Sequence, residues 1–267
     1  MIVVRFFLFF LLFLLMVGMV LAPSAVHWAE RTFLYQPSRP IQYEQAKGHF
    51  TTLSSGAGLL HYNQSVPVLQ ASPRRRVLFL HGNTGSLDDF VSSLDLMDRL
   101  GYDVYALEYA GYLPLMASPP VGTVLVDGQY WQQSNPSGDT ILQNVCEAWS
   151  LMGDSNTIVV GFSLGGGALG MVYDRLIPSP AQIVFLNTFF SLPQLIVEVG
   201  AKFWIPTSVS QHCVAPFMKT QWWCQRPQRY TGRVLIVYTK DDMLMCPIHA
   251  EQFRSNFSGW PTDVVML

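Results

Sequence analysis

Val159-Val160-Gly161-Phe162-Ser163-Leu164-Gly165-Gly166-Gly167 is an apolar, β-branched run that breaks abruptly into Gly-x-Ser-x-Gly and two further glycines. It has the sequence form of a nucleophile elbow, in which a serine is held out on a sharp strand-to-helix turn. Glycine two residues before and two after the serine leaves room where any side chain would collide with the neighbouring strand and helix backbones. A glycine-rich turn that happens to hold a serine has the same five residues, so the flanks decide. Upstream, the turn Gly153-Asp154-Ser155-Asn156 feeds the strand Thr157-Ile158-Val159-Val160. Downstream, Ala168, Leu169, Met171 and Val172 continue as a helix. The strand, turn and helix that the motif requires are all present.

The same alternation extends outward. Arg76-Val77-Leu78-Phe79-Leu80 is a continuous apolar run of the buried parallel-strand kind, and it ends in His81-Gly82-Asn83-Thr84-Gly85. Ser86-Leu87-Asp88-Asp89 then caps an amphipathic helix whose buried side is marked by Phe90, Leu94, Leu96, Met97 and Leu100. Val104-Tyr105-Ala106-Leu107 is the next strand, and a helix runs through Leu142, Val145, Cys146 and Trp149. Ile183–Leu186, Val234–Tyr238 and Thr262–Leu267 read as further strands, with a helix starting near Pro247. Strands alternating with helices predict a parallel sheet. Ahead of this core, Phe50–Leu53 and Gly58–Tyr62 flank Ser-Ser-Gly-Ala, a hairpin signal, and His61 is a strand-face residue. Two stretches break the pattern. Residues 113–139 are rich in Pro, Gly, Ser and Gln and read as a flap or insertion, and the aromatic segment 191–229 reads as core packing or as a lid over an apolar pocket.

With 267 residues, half of them hydrophobic, the chain can bury one large core. A net charge of -2 without a long basic block argues against a nucleic-acid surface. Arg74-Arg75-Arg76 reads as a solvated strand entrance. The four cysteines lack metal-ligand spacing, so no metal and no cofactor is expected; Cys213 and Cys224 are either bridged or two free buried thiols.

From Phe6 to Ala22 no residue is charged or strongly polar. That length suits a single membrane span, and Pro23 disfavours cleavage after Ala22 or Ala25, leaving a cut after Ser24. The expectation is an uncleaved signal anchor over residues 1–25, with a cleaved signal peptide as the alternative. Arg5 and the amino terminus bias the N-terminus to the cytosol, so the domain faces the lumen or exterior. The sequons at Asn63 and Asn256 are compatible with that side.

Three features in the right order, His81-Gly82-Asn83, Gly161-Phe162-Ser163-Leu164-Gly165 and Thr239-Lys240-Asp241-Asp242, each follow a strand. On these residues the chain from about Phe33 to Leu267 resembles the α/β-hydrolase superfamily. The segment Phe33-Leu34-Tyr35-Gln36-Pro37 behind an apolar N-terminus resembles membrane-anchored α/β-hydrolase-domain proteins, which are similar to serine aminopeptidases and lipases. The resemblance implies an α/β fold with a mostly parallel sheet and helices on both faces, ending here at the last strand, plus an N-terminal anchor helix. Residues 26–48 are then a juxtamembrane linker and 49–267 the hydrolase domain.

The resemblance implies Ser163 as nucleophile and the backbone N–H groups of Asn83 and Leu164 as oxyanion donors. Asp241 is implied as the orienting acid, with Asp242 exchanged for it by a one-residue shift in the turn. His81 is structural in such a turn. The implied base lies after the last strand, where Leu267 stands, so His249 or His212 is the substitute to consider. The function expected is ester, lipid or thioester hydrolysis on an apolar acyl substrate; the alternative is an inactive binding or scaffold protein.

Overall fold

The computed structural model of the chain describes residues 23–28, 30, 34–37, 48–62, 73–85, 87–112 and 136–267. Strands form at the apolar runs: β1 (Gln36–Pro37), β2 (Gly48–Thr52), β3 (Gly58–Tyr62), β4 (Arg76–Leu80), β5 (Thr84–Gly85) and β6 (Asp103–Glu108). They continue with β7 (Ile158–Phe162), β8 (Gln182–Leu186), β9 (Arg233–Tyr238) and β10 (Thr262–Met266). Eight of them make one sheet in the order β10-β9-β8-β7-β4-β6-β3-β2. Every neighbouring pair from β6 to β10 is parallel, and only β2–β3 and β3–β6 are antiparallel. β1 and β5 form a separate parallel pair.

Parallel neighbours need crossovers, and helices provide them. These are α2 (Val91–Arg99), α3 (Gly138–Met152), α4 (Leu164–Val172) and α7 (Pro247–Asn256). Because strand side chains alternate, the two faces collect different residues. Leu78 and Leu80 pack on the side of Ile141 and Val145 from α3, Leu169 from α4 and Phe253 from α7. Phe79 points the other way, to Val104, Ala106 and Leu94 of α2. Helices therefore lie on both faces. At the sheet edge, Val264, Val265, Met266 and Leu267 are 37–69% exposed.

Several expectations are corrected. Leu96 and Leu100 are exposed: Leu96 lies two residues from buried Leu94, about 200° around the helix, and Leu100 sits at its end, so Leu87 and Leu94 carry the burial. Phe90 stands at the N-cap of α2 and makes no side-chain cap bond, while Ser86 lies outside the described residues. α3 starts at Gly138, with Ser137 Oγ accepting from Thr140 N at 3.2 Å, so the end of the 113–139 stretch is helix; residues 113–135 lie outside the described residues. The 191–229 segment contains α5 (Leu192–Lys202) and a single turn, α6 (Thr207–Val209). The cysteines are all free thiols, and Cys213 is exposed.

The Arg74–Arg76 run is used structurally: Arg74 pairs with Asp98 at 2.7 Å, and Arg76 with Asp154 at 3.4 Å. The apolar N-terminal run Phe6–Ala22 lies outside the described residues, among which no helix is long and apolar enough to cross a membrane. A short helix, α1 (residues 23–28), crosses the expected boundary at residue 25. The segment expected as linker is partly core: Leu34 and Tyr35 are buried, and Glu30 accepts from Lys219 N and Thr220 N, both at 2.8 Å.

The hairpin turn between β2 and β3 is held by α3. Glu147 accepts from Ser54 N and Ser55 N, and fully buried Asn144 donates to Ser55 Oγ at 2.8 Å while accepting from Ala110 N at 3.0 Å. Asn144→Ala strands a buried backbone donor. Chemical denaturation should show it less stable than wild type by about 1–3 kcal/mol.

Candidate active site

Ser163 sits between β7 and α4 with φ 50° and ψ −114°, a backbone conformation that costs a non-glycine residue energy. The surroundings enforce it. A Cβ on Gly161 would lie 2.6 Å from Gly166 Cα, and one on Gly165 would collide with Leu80 O, so strand and helix approach to backbone contact. The Ser163 carbonyl accepts from Gly166 N at 3.0 Å, Gly167 N at 3.1 Å and Thr188 Oγ1 at 2.5 Å. Its own N–H donates to Leu186 O at 3.1 Å. The turn is thus fixed by β8 as well as by α4.

Leu164 is the first residue of α4, so its N–H has no intrahelical acceptor and lies at the positive end of the helix dipole. The loop after β4 lies against the serine: a Cβ on Gly82 would be 3.4 Å from Ser163 Cβ. His81 O accepts from Gly165 N and from Tyr109 Oη, both at 3.0 Å, and Tyr112 Oη donates to Asn83 Oδ1 at 3.2 Å. Burial pushes the Tyr109 and Tyr112 phenols up, so both remain hydroxyl donors. His81 is fully buried and its ring lies tilted against Tyr109, with centroids 4.4 Å apart. Its Nδ1 donates to Gly82 O at 2.8 Å, and its Nε2 lies 3.0 Å from the buried Glu108 carboxylate. Glu108 in turn accepts from Leu87 N at 2.9 Å. His81 is a fixture of the loop.

The acid turn joins the same edge of the sheet. Asn187, at φ 39°, accepts from Thr239 N at 2.8 Å and donates to Thr239 Oγ1 at 3.0 Å, linking the end of β8 to that of β9. Asp242 accepts from Leu244 N at 2.7 Å and Met245 N at 2.9 Å and holds the turn. Asp241 is exposed beside it.

His249 is 1% exposed in the first turn of α7. Its Nδ1 accepts from Phe190 N at 3.2 Å and its Nε2 lies 3.2 Å from Glu198 of α5. Both ring nitrogens therefore face α5 and the segment leading into it, away from the role of a base for Ser163. His212 is bonded to Ser208 O. Among the described residues, no histidine hydrogen-bonds Ser163. The structure thus gathers Ser163, Leu164 and the loop bearing Asn83, with the acid turn on the same edge through Asn187, and leaves His249 in a different network. Sequence reasoning missed Asn187, Thr188 and Glu108; a carboxylate closing the apolar strand Val104–Leu107 was the one visible signal. The Asn256 sequon is also occupied: Asn256 Nδ2 donates to Gln225 O at 2.8 Å.

No family model matches the chain, and no curated protein sequence does. Solved structures match it throughout the domain. An esterase from Pyrococcus furiosus is 14% identical over 88% of this chain and 87% of its own, with a TM-score of 0.55. A sugar hydrolase from Lactococcus lactis is 13% identical over 82% of each chain, at 0.54. An esterase from Exiguobacterium antarcticum is 15% identical over 81% and 90%, at 0.51. At such identity the likeness concerns the fold, which is α/β-hydrolase-like.

Burial lowers the His249 pKa below 6.5, with Glu198 and Gln252 opposing the shift. The unfolded chain therefore binds this proton more readily than the folded one. Its contribution to stability is complete above the unfolded value and is lost as pH falls through the folded value. The melting temperature should drop as pH falls below about 6.5, and His249→Asn should flatten that part of the profile.

Proposed function

We propose that the chain is a membrane-anchored serine hydrolase of esterase, lipase or thioesterase type, acting on an apolar acyl substrate through Ser163. The carrying observation is the strained backbone of Ser163 at the head of α4. Strain of this kind persists only where its surroundings impose it, and an elbow uses it to present a hydroxyl. Ser163 Oγ attacks the acyl carbon as its proton passes to a base. The oxygen that gains negative charge accepts from Leu164 N and Asn83 N, the alcohol or thiol departs with a proton, and water then releases the acyl group. Asp241 orients the base in this reading. The base is not assigned to a described residue, because none of their histidines reaches Ser163.

The alternative is an inactive binding or scaffold protein that keeps the elbow. A fluorophosphonate probe separates the two. Wild type should be labelled and Ser163→Ala should not, with ester turnover reduced on the order of a thousandfold or more. No Ser163-dependent labelling at high probe concentration would sink the hydrolase reading.

The apolar run Phe6–Ala22 supports a single-pass anchor with the domain luminal or extracellular. Asn63 reports on this side better than Asn256, whose amide is bonded within the fold. Expressed in a glycosylating cell, the full chain should show a glycosidase-sensitive mass increment that Asn63→Gln removes. No increment at Asn63 counts against the luminal placement.

A further inference from the structure

Helix α5 ends in an unusual way. Ile205 N donates to Gly200 O at 3.0 Å and Trp204 N to Ala201 O at 3.2 Å, the paired bonds of a Schellman ending. The residue between helix and exit takes a left-handed conformation, and glycine is the usual occupant because it has no Cβ to strain. Here it is Trp204, at φ 62° and 95% exposed. The bulkiest side chain occupies the position least suited to it and touches almost nothing of the domain.

Trp204 does not stand alone. Phe203 is 72% exposed and Ile205 43%, and across from them Met243 is 83% exposed, Leu244 55% and Ile248 44%. Lys202 Nζ donates to Met243 O, which joins the two groups into one surface. The platform beneath is tied by polar contacts: Gln252 of α7 to Gln194 of α5 at 2.8 Å, Gln194 to Glu198 at 2.8 Å, and Glu198 to His249 at 3.2 Å. Apolar side chains projecting from a fixed platform are a docking surface, and a tip of Trp, Phe and Ile suits the headgroup level of a bilayer. Lys202 and Lys240 are balanced by Asp241 and Asp242 nearby, so no anionic lipid is required.

The path of the chain fits this occupant. The uncharged run Phe6–Ala22 ends one residue before Pro23, where the described chain begins. Ser24, His27 and Trp28 of α1 line a cavity of about 630 Å3 together with Lys219, Thr220 and Trp222. Glu30 is bonded to Lys219 N and Thr220 N. The described chain that follows the apolar run is thus bonded to the same excursion, between β8 and β9, that carries Trp204.

We propose that Phe203, Trp204, Ile205, Met243 and Leu244 form a bilayer-docking surface that seats the domain on a zwitterionic phospholipid membrane beside the acid turn. Combined with the serine-hydrolase reading, on which only this last step rests, the acyl substrate would be drawn from the bilayer.

The test reconstitutes the full chain in phosphatidylcholine vesicles containing dibrominated phosphatidylcholine and reads tryptophan quenching. Wild type should lose an emission component that is absent in Trp204→Gly. Because glycine suits the left-handed position, that variant should melt no lower than wild type, so a lost signal is not lost folding. Phe203→Ser/Met243→Ser should reduce quenching with Trp204 still in place. Equal quenching in wild type and Trp204→Gly overturns the proposal. So does a wild-type dimer that Trp204→Gly dissolves, which makes a second copy the occupant. So does a Trp204 already shielded from aqueous iodide before lipid is added, which makes another segment of the chain the occupant. Quenching does not depend on turnover, and Ser163 labelling of the same samples separates a failed docking from a failed hydrolase reading.

Discussion

The structure depends on a near-contact of three backbones at the head of α4. β7, the first turn of α4 and the loop after β4 meet at distances that leave no space for a Cβ on Gly161 or Gly165. Closeness on that scale cannot be had from side-chain packing. It forces Ser163 into its strained turn, and it brings Gly165 N onto His81 O so that the loop bearing Asn83 is fixed by the helix that follows the serine. The strain, of order 1–3 kcal/mol for such a residue, is held in place by bonds to Ser163 from both α4 and β8.

From that point the carboxyl edge of the sheet is assembled by short polar links. Thr188 bonds the serine carbonyl and the adjacent Asn187 bonds Thr239, so the turn after β8 connects the serine to the acid turn. On the other side, Tyr109 and Tyr112 brace the loop of His81 and Asn83, while Glu108 joins His81 to Leu87 N. Each strand exit is thus defined relative to its neighbour by a bond that uses backbone atoms, and the positions do not rest on long flexible side chains. A parallel sheet favours this arrangement, because every strand from β6 to β10 ends on the same edge.

The central strands were legible because parallel strands buried on both faces need unbroken β-branched and apolar runs, and Val77–Leu80 and Ile158–Val160 are such runs. The elbow was legible because its glycines answer to a steric demand that few other turns share. Helix α2 was legible in place but not in all of its buried positions: Leu96 lies about 200° around the helix from buried Leu94 and faces solvent. Asn144, Asn187 and Asn256 were not legible at all. Each is a single amide whose partners lie far along the chain, and nothing local in a sequence marks a long-range bond. For His249 the sequence showed its nearness to Asp241 along the chain, whereas its ring direction is set by Phe190 and Glu198, far away in sequence.

Residues 30–37 show how much one misread segment alters the picture of the site. As a linker they would only set the distance of a domain from its anchor. In the fold, Glu30 closes on Lys219 N and Thr220 N, Tyr35 Oη meets Thr220 Oγ1 at 2.5 Å, and from the next residue β1 pairs with β5, directly after Asn83. One short stretch thus holds both the excursion between β8 and β9 and the loop that carries Asn83. With Tyr35 buried and Glu30 carrying two backbone bonds, the excursion cannot lift from the domain unless those bonds break or β1 moves with it. Strand β5 is bonded to β1 and starts at the residue after Asn83, so a displacement transmitted that way reaches Asn83 itself. The N-terminal segment is therefore part of the framework of the site, whatever lies beyond its first described residue.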